Sequence, residues 1–174
     1  MIRVRPIESA DRPWVVRRLG DAFGGVGVAR KGVLVDASVL PGFVATDGGQ
    51  AVGLLTYDVA HGECEVVAIL STEQGLGIGR ALMDAARDHA VAAGSGCHRL
   101  WLITTNDNTR ALRFYQRWGM DLCAFYRHGA RRSREAKPAL PHLGADGIPL
   151  KHEHELELVL WCSLSESHAT ETNL

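Results

Sequence analysis

Hydrophobic and polar residues follow two different periods along the chain, and each change of period marks an element of secondary structure. Short runs that alternate with a period of two, or that are continuously apolar, predict β-strands. Such runs occupy residues 2–6, 43–46, 50–59, 61–70, 98–104, 120–126 and 152–161. Apolar residues spaced by three and four positions predict a helix after the first strand, a second from residue 78 and a third after residue 107.

Polar residues and glycines predict where these helices begin and end. Ser9 or Asp11 is expected to cap the first helix, and Asn106 or Asp107 the third. The second is expected to end at the glycine-rich residues 93–96, and residues 22–40 give no clear pattern. The order is strand, helix, three strands, helix, strand, helix and two strands. It predicts an α/β fold with a mixed central sheet of about seven strands flanked by helices.

Composition narrows the class of protein. The 174 residues are 46% hydrophobic and 22% charged, which is typical of one globular domain, here residues 1–162, with a polar tail at 163–174. A net charge of −1 gives no general attraction for nucleic acid, and no apolar run of about 18 residues predicts a membrane span. We expect a soluble, cytoplasmic protein with no membrane partner. Its strand cysteines are expected to be buried, reduced thiols: Cys64, Cys123 and Cys162.

A glycine-rich turn at residues 74–79 separates an apolar strand from the second helix. Glycines at a helix start let the backbone approach a ligand, and the free N–H groups there favour phosphate. A Walker loop is excluded because no Gly-Lys-Ser/Thr follows, and the dinucleotide pattern fails because Arg80 or Leu82 stands at the third glycine. An ordinary strand-to-helix turn remains the alternative. The remaining pattern, Q-x-x-G-x-G, resembles the pyrophosphate-binding signature of the GNAT acetyltransferase superfamily.

A second motif supports the resemblance. Asn108, Ala111, Tyr115 and Trp118 fall on one face of the third helix. A tyrosine there is more often a core residue than a ligand contact. However, N-x-x-A-x-x-F/L-Y-x-x-x-G is similar to the C-terminal motif of GNAT enzymes, and it follows the glycine turn by one helix and one strand. The resemblance spans about residues 1–126.

The resemblance implies a fold, a cosubstrate and a set of residues. The fold implied is the acyl-CoA N-acyltransferase fold, splayed between its fourth and fifth strands, where acetyl-CoA enters. The reaction implied is acetyl transfer to an amine, with Tyr115 as the general acid toward the CoA sulfur and no metal. The residues implied to bind acetyl-CoA are Ile69, Leu70, Gln74, Gly75, Leu76, Gly77, Ile78, Gly79, Arg80, Asn108, Ala111 and Tyr115.

The general base is left open. Glu63 and Glu65 lie two residues apart on a predicted strand, so their side chains share a face. Glu63 aligns with the catalytic glutamate of the histone-acetylating branch, and Glu65 with a polar cleft residue of small bacterial members. Either carboxylate or a water molecule is a candidate base. Solvent-exposed edge charges are the alternative for both.

The last third of the chain resembles a bacterial GNAT subgroup with a long segment before the final strand. In this chain the segment runs from 129 to 150 and carries S-R-x-x-K-P-x-L-P and G-I-P. It is too long for an idle connection, so we expect it to fold beside the acceptor site or to form a homodimer contact. The basic residues within this segment and just before it are candidates for an acidic substrate, a CoA phosphate or a solvated surface: Arg127, Arg131, Arg132, Arg134 and Lys137. His152 and His154 share a strand face, but no third metal ligand is evident.

Three functions compete at this point. The first is N-acetyl transfer from acetyl-CoA to a primary amine of a small molecule or protein. The second is a non-catalytic acyl-CoA-binding or sensing module. The third is acetylation directed at a ribosomal protein or tRNA, for which RNA binding that survives moderate salt would be required. Tyr115 and the two glutamates favour the first.

Overall fold

The protein folds around one mixed sheet that separates two layers of helices. The structure is a computed structural model that describes residues 1–92 and 96–160. Four α-helices lie within those residues: α1 Arg12–Phe23, α2 Ile78–Val91, α3 Thr109–Trp118 and α4 Gly129–Ala136. The strands are β1 Arg3–Pro6, β2 Gly27–Arg30, β3 Val33–Asp36, β4 Gly42–Asp47, β5 Gln50–Ala60, β6 Glu63–Ser71, β7 Arg99–Thr105, β8 Asp121–Tyr126 and β9 Glu153–Val159.

Seven strands form the main sheet in the order β1-β4-β5-β6-β7-β9-β8. All neighbours are antiparallel except β6 and β7. These two pair only where residues 63–66 meet residues 99–102, and both strands continue beyond that point without each other. The predicted mixed seven-stranded sheet, splayed between its fourth and fifth strands, is therefore confirmed.

The two faces of the sheet bury different apolar sets. The larger core lies under α2 and α3 and includes Leu82, Met83, Leu102 and Tyr115. A smaller core lies under α1, around Val15 and Leu19. Each fully buried aliphatic side chain contributes about 1.5–3 kcal/mol, so the sheet and its helices make a rigid frame for the splay.

Two elements were not predicted. The hairpin β2–β3 falls within the unreadable residues 22–40, because four-residue strands offer too few positions to establish a period. Helix α4 carries the sequence GARRSREA, which lacks an apolar stripe. Helix α4 contacts both strands of this hairpin.

Two local predictions were wrong. The cap of α3 is Asn108, whose side chain accepts a hydrogen bond from the Ala111 amide at 3.3 Å. The expected caps are engaged elsewhere, since Asn106 accepts from the Lys151 amide and Asp107 from the Ala145 amide. Cys123 is exposed rather than buried because β8 is the edge strand of the sheet.

Some predicted features lie partly or wholly outside the residues that the structure describes. Helix α2 ends at Val91, but residues 93–95 of its expected glycine terminus, the end of the last strand and the tail at 163–174 lie outside the described ranges. Among residues 1–92 and 96–160, no helix is long and apolar enough to cross a membrane.

Candidate active site

A cavity of about 630 Å³ lies where β6 and β7 separate. The two strands themselves form one wall, and α3 contributes Tyr115 and its cap residue Asn108. The remaining walls come from the end of α1, from β2 and from the segment after α4. Its lining includes Phe23, Val28, Arg30, Glu65, Ile69, Leu70, Thr104, Asp107, Asn108, Tyr115, Lys137, Leu140, Leu150 and Glu153.

Tyr115 reaches this cavity from the inner face of α3. It is 7% exposed, and burial raises the pKa of its phenol. The hydroxyl therefore stays protonated at neutral pH and is available as a hydrogen-bond donor. Asn108 lines the same cavity from the start of α3, whereas Ala111 packs on the core without lining it.

The glycine turn leads into α2 as its sequence predicted. Gly75 and Gly77 have φ angles of 81° and 75°, a region that glycine adopts without strain. Residues 74–77 are exposed, and Ile78 is buried, which fixes the first turn of the helix against the sheet. At Gly79 a Cβ would lie 3.2 Å from the Phe114 ring, so the glycine permits close contact between α2 and α3. The first amides of α2 are thus presented toward solvent.

A second groove, of about 330 Å³, adjoins this turn and was missed by the sequence analysis. It lies between α2 and α3 and is lined by Arg80, Arg110, Arg113, Phe114, Arg117 and Trp118. The signal was present in the sequence, because three of these arginines recur at i, i+3 and i+7 of α3. Four guanidinium groups beside a helix N-terminus make this groove attractive to phosphate.

The two candidate bases have different surroundings. Glu65 is buried and lines the cavity, and both its oxygens accept from the Arg30 guanidinium at 2.5 Å. Glu63 is not among the cavity-lining residues. Its carboxylate accepts from Arg99 at 2.9 Å, and this hydrogen bond holds the pKa of Glu63 below its ordinary value. Of the two candidate bases, only Glu65 therefore lines the cavity.

The segment at 129–150 lies against the cavity, as expected, and its basic residues divide into two groups. Lys137 Nζ donates to the carbonyls of Phe23 and Gly27 at 2.5 and 2.7 Å, and burial lowers the pKa of this lysine. Arg134 donates to the carbonyls of Leu140, Pro141 and Leu150. These two cations hold the segment in place, while Arg127, Arg131 and Arg132 are exposed.

Two further carboxylates line the cavity and were not singled out by sequence. Glu153 is 1% exposed and accepts from Ser133 Oγ at 2.5 Å and from the Lys31 amide at 2.9 Å. Asp107 is 7% exposed, and its Oδ2 accepts from the Ala145 amide at 2.9 Å. Its Oδ1 has no hydrogen-bond partner within the described part of the chain.

Two histidines, just before and within β9, are the candidate metal ligands in the sequence. Within the two described ranges, no three His, Cys, Asp or Glu side chains are placed to hold a metal ion. His152 instead stacks near Phe125, with ring centroids 5.1 Å apart, and accepts from the His128 amide through Nδ1.

Comparison with known proteins places this chain in a family. The profile of the acetyltransferase (GNAT) family matches residues 8–120. The uncharacterized protein YdhI of Bacillus subtilis is 35% identical over 115 residues, which cover 66% of this chain and 71% of the relative.

Solved structures show the same fold at low identity. A Bacillus subtilis acetyltransferase in complex with CoA is 17% identical, with a TM-score of 0.66 over 92% of this chain and 100% of the other. A GNAT family acetyltransferase from Elizabethkingia anophelis with acetyl-CoA bound is 18% identical, with a TM-score of 0.66 over 91% and 98%. The profile match and the splayed sheet agree with the two motifs, and the chain belongs to the GNAT acetyltransferase family.

Proposed function

We propose that this protein transfers an acetyl group from acetyl-CoA to a primary amine of a small molecule or protein. The observation that supports this best is the position of Tyr115, a buried phenol in the cavity where β6 and β7 separate. Membership of the family supplies the expected cosubstrate, and the cavity offers room for an acceptor beyond the thioester.

Acetyl-CoA would enter through the splay. Beyond Val66 the β7 side of β6 has no strand partner, so the backbone at Ile69 and Leu70 is available to pair with the pantetheine arm as an added strand would. The pyrophosphate would bind the amides of residues 74–79 at the start of α2. We assign the arginine groove between α2 and α3 to the phosphates at that end of the molecule.

The chemistry requires one bond to form and one to break. The neutral amine attacks the thioester carbonyl, a C–N bond forms, and the C–S bond breaks to leave the CoA thiolate. We assign Tyr115 as the donor to that sulfur. Because its pKa is raised, its contribution begins as a hydrogen bond that strengthens as negative charge develops on sulfur.

The proton from the amine needs an acceptor, and we assign this role to water in the cavity. Both oxygens of Glu65 already accept from Arg30, and Glu63 is held by Arg99 outside the cavity, so neither carboxylate is placed to take the proton directly.

The test is CoA thiol release from acetyl-CoA with a panel of primary amines, comparing wild type with Tyr115→Phe. Removing the hydroxyl should lower kcat about 10²–10⁴-fold, the usual range for a general acid, with little change in the affinity for CoA. Equal rates in the two proteins would remove Tyr115 from the mechanism. CoA binding without turnover of any amine would instead identify a non-catalytic acyl-CoA-binding module.

A further inference from the structure

The cavity contains two buried carboxylates, Asp107 and Glu153, that have no cationic partner. Neither forms an ion pair with a Lys, Arg or His of the described residues, and their hydrogen bonds come only from neutral donors. A buried carboxylate without a counter-ion is much less stable than a paired one. The pair therefore lacks a counter-ion at the cavity wall, which a cationic ligand would supply.

The two side chains are brought together by the β7–β9 ladder. Glu153 stands opposite Thr105 in that ladder, and Asp107 follows Thr105 by two residues, so their Cα atoms lie within about 12 Å of each other. Asp107 is also fixed in position. The Ala145 amide holds its Oδ2, and a Cβ at Gly144 would lie 1.9 Å from that oxygen, so the backbone packs directly on the carboxylate. Oδ1 remains as an unfilled acceptor in the cavity lining.

The other charged groups of the cavity do not neutralise this pair. Arg30 is fully occupied by Glu65, and Lys137 donates to two main-chain carbonyls. The cavity lining thus holds two cations against three carboxylates, and the cations are already engaged. An anionic acceptor would add negative charge to a site that already has an excess of it.

We propose that Asp107 and Glu153 form a cation site for the acceptor, which carries a second ammonium group besides the amine that is acetylated. This inference rests on the proposed acetyl transfer and names its substrate class: diamines and related polycationic amines. Asp107 Oδ1 accepts from the distal ammonium, and Glu153 in the same cavity lining adds electrostatic attraction.

Three acceptors of matched length test the idea: cadaverine, 5-aminopentanol and 5-aminopentanoate, which end in ammonium, hydroxyl and carboxylate. The expected order of kcat/KM is cadaverine, then aminopentanol, then aminopentanoate, with about 10- to 100-fold between the first two. Asp107→Asn keeps the shape and the Ala145 contact but removes the charge. It should lower kcat/KM for cadaverine by the same factor and leave kcat/KM for aminopentanol within about twofold of wild type. Asp121→Asn, on the exposed edge strand, is the matched control and should change neither.

Two results would overturn the cation site. One is an equal kcat/KM for the three acceptors in the wild-type protein. This result does not depend on whether a variant folds. The other is an equal loss of kcat/KM for all three acceptors in Asp107→Asn, because that pattern would mean that the carboxylate acts on cofactor binding or on folding.

Calorimetric titration of cadaverine into the CoA-saturated protein separates this proposal from the proposed function. Suppose that no amine is acetylated, but that wild type binds cadaverine at least tenfold more tightly than aminopentanol and Asp107→Asn removes that preference. The cation site is then supported, and the proposed acetyl transfer is refuted. If the two amines bind equally, the cation site falls as well.

Discussion

Replacing Glu65 by glutamine should test whether this residue is a structural counter-ion or a base. The variant keeps one oxygen that can accept from Arg30 but removes the negative charge. The Arg30 side chain is only 13% exposed, so it would be left buried without a counter-ion. Breaking a buried ion pair from one side costs about 3–5 kcal/mol. We expect about 3 kcal/mol here, because β2 lies in a two-stranded hairpin that can move to expose Arg30 to water.

Glu63→Gln is the matched control on the same strand. The Glu63 side chain is 29% exposed, and its partner Arg99 keeps hydrogen bonds to Glu155 and Glu157 at 2.9 Å. The loss should therefore stay below about 1 kcal/mol. Urea unfolding followed by tryptophan fluorescence measures both variants.

The double variant Arg30→Met with Glu65→Met removes both charges at once. It should recover most of the stability lost in Glu65→Gln, because no unpaired charge remains in the hairpin interface. If Glu65→Gln costs no more than Glu63→Gln, or the double variant is no more stable than the single one, the buried-pair reasoning is wrong. Turnover decides the chemical role, since a double variant within about threefold of wild-type kcat excludes Glu65 as the base.

Three further predictions concern the packing of α2 on the sheet, the proposed phosphate site and the stability at low pH. Gly53→Ala should cost about 1–3 kcal/mol in urea unfolding and weaken CoA binding, because a Cβ there would lie 2.4 Å from the first side chain of α2. Arg113→Gln should raise the KM for acetyl-CoA about two- to fivefold at unchanged kcat, whereas Arg131→Gln on α4 should not; equal effects would contradict the phosphate assignment. The hydrogen bond from Arg5 lowers the pKa of Asp11 below 3.8. The stability this provides is complete above that value and is lost as pH falls through the lower folded pKa, so Asp11→Asn should flatten the acid unfolding curve below about pH 4.

The sequence predicts the half of the site that depends on backbone geometry. A glycine turn with positive φ at Gly75 and Gly77 has a direct sequence signal, because few other residues adopt that conformation. The position of Tyr115 follows from the 3.6-residue period of α3, and the splay was implied by the family resemblance that these two motifs carry. These features are local or periodic, so one sequence is sufficient to find them.

The other half of the cavity depends on contacts between distant segments, which no period records. Lys137 reaches Phe23 and Gly27 across 114 and 110 residues, and the carbonyls that accept from it could be supplied by any residue type. Glu153 has an equally hidden role, since alternating polar residues in a strand normally indicate a solvated face. Its burial results from β2–β3 and α4, the two elements that sequence did not predict.

The proposed choice of acceptor depends on which charged groups of the cavity already have partners. Of the cations that the sequence offered as binders of an acidic substrate, Arg134 and Lys137 donate to main-chain carbonyls, whereas Arg127, Arg131 and Arg132 are exposed and do not line the cavity. Arg30, which the sequence did not single out, is paired with Glu65. Among the described residues, the cavity carboxylates without a cationic partner are Asp107, after β7, and Glu153, at the start of β9. Changes to the hairpin or to the segment at 129–150 would therefore alter the shape available to an acceptor, whereas Asp107 and Glu153 would determine its charge.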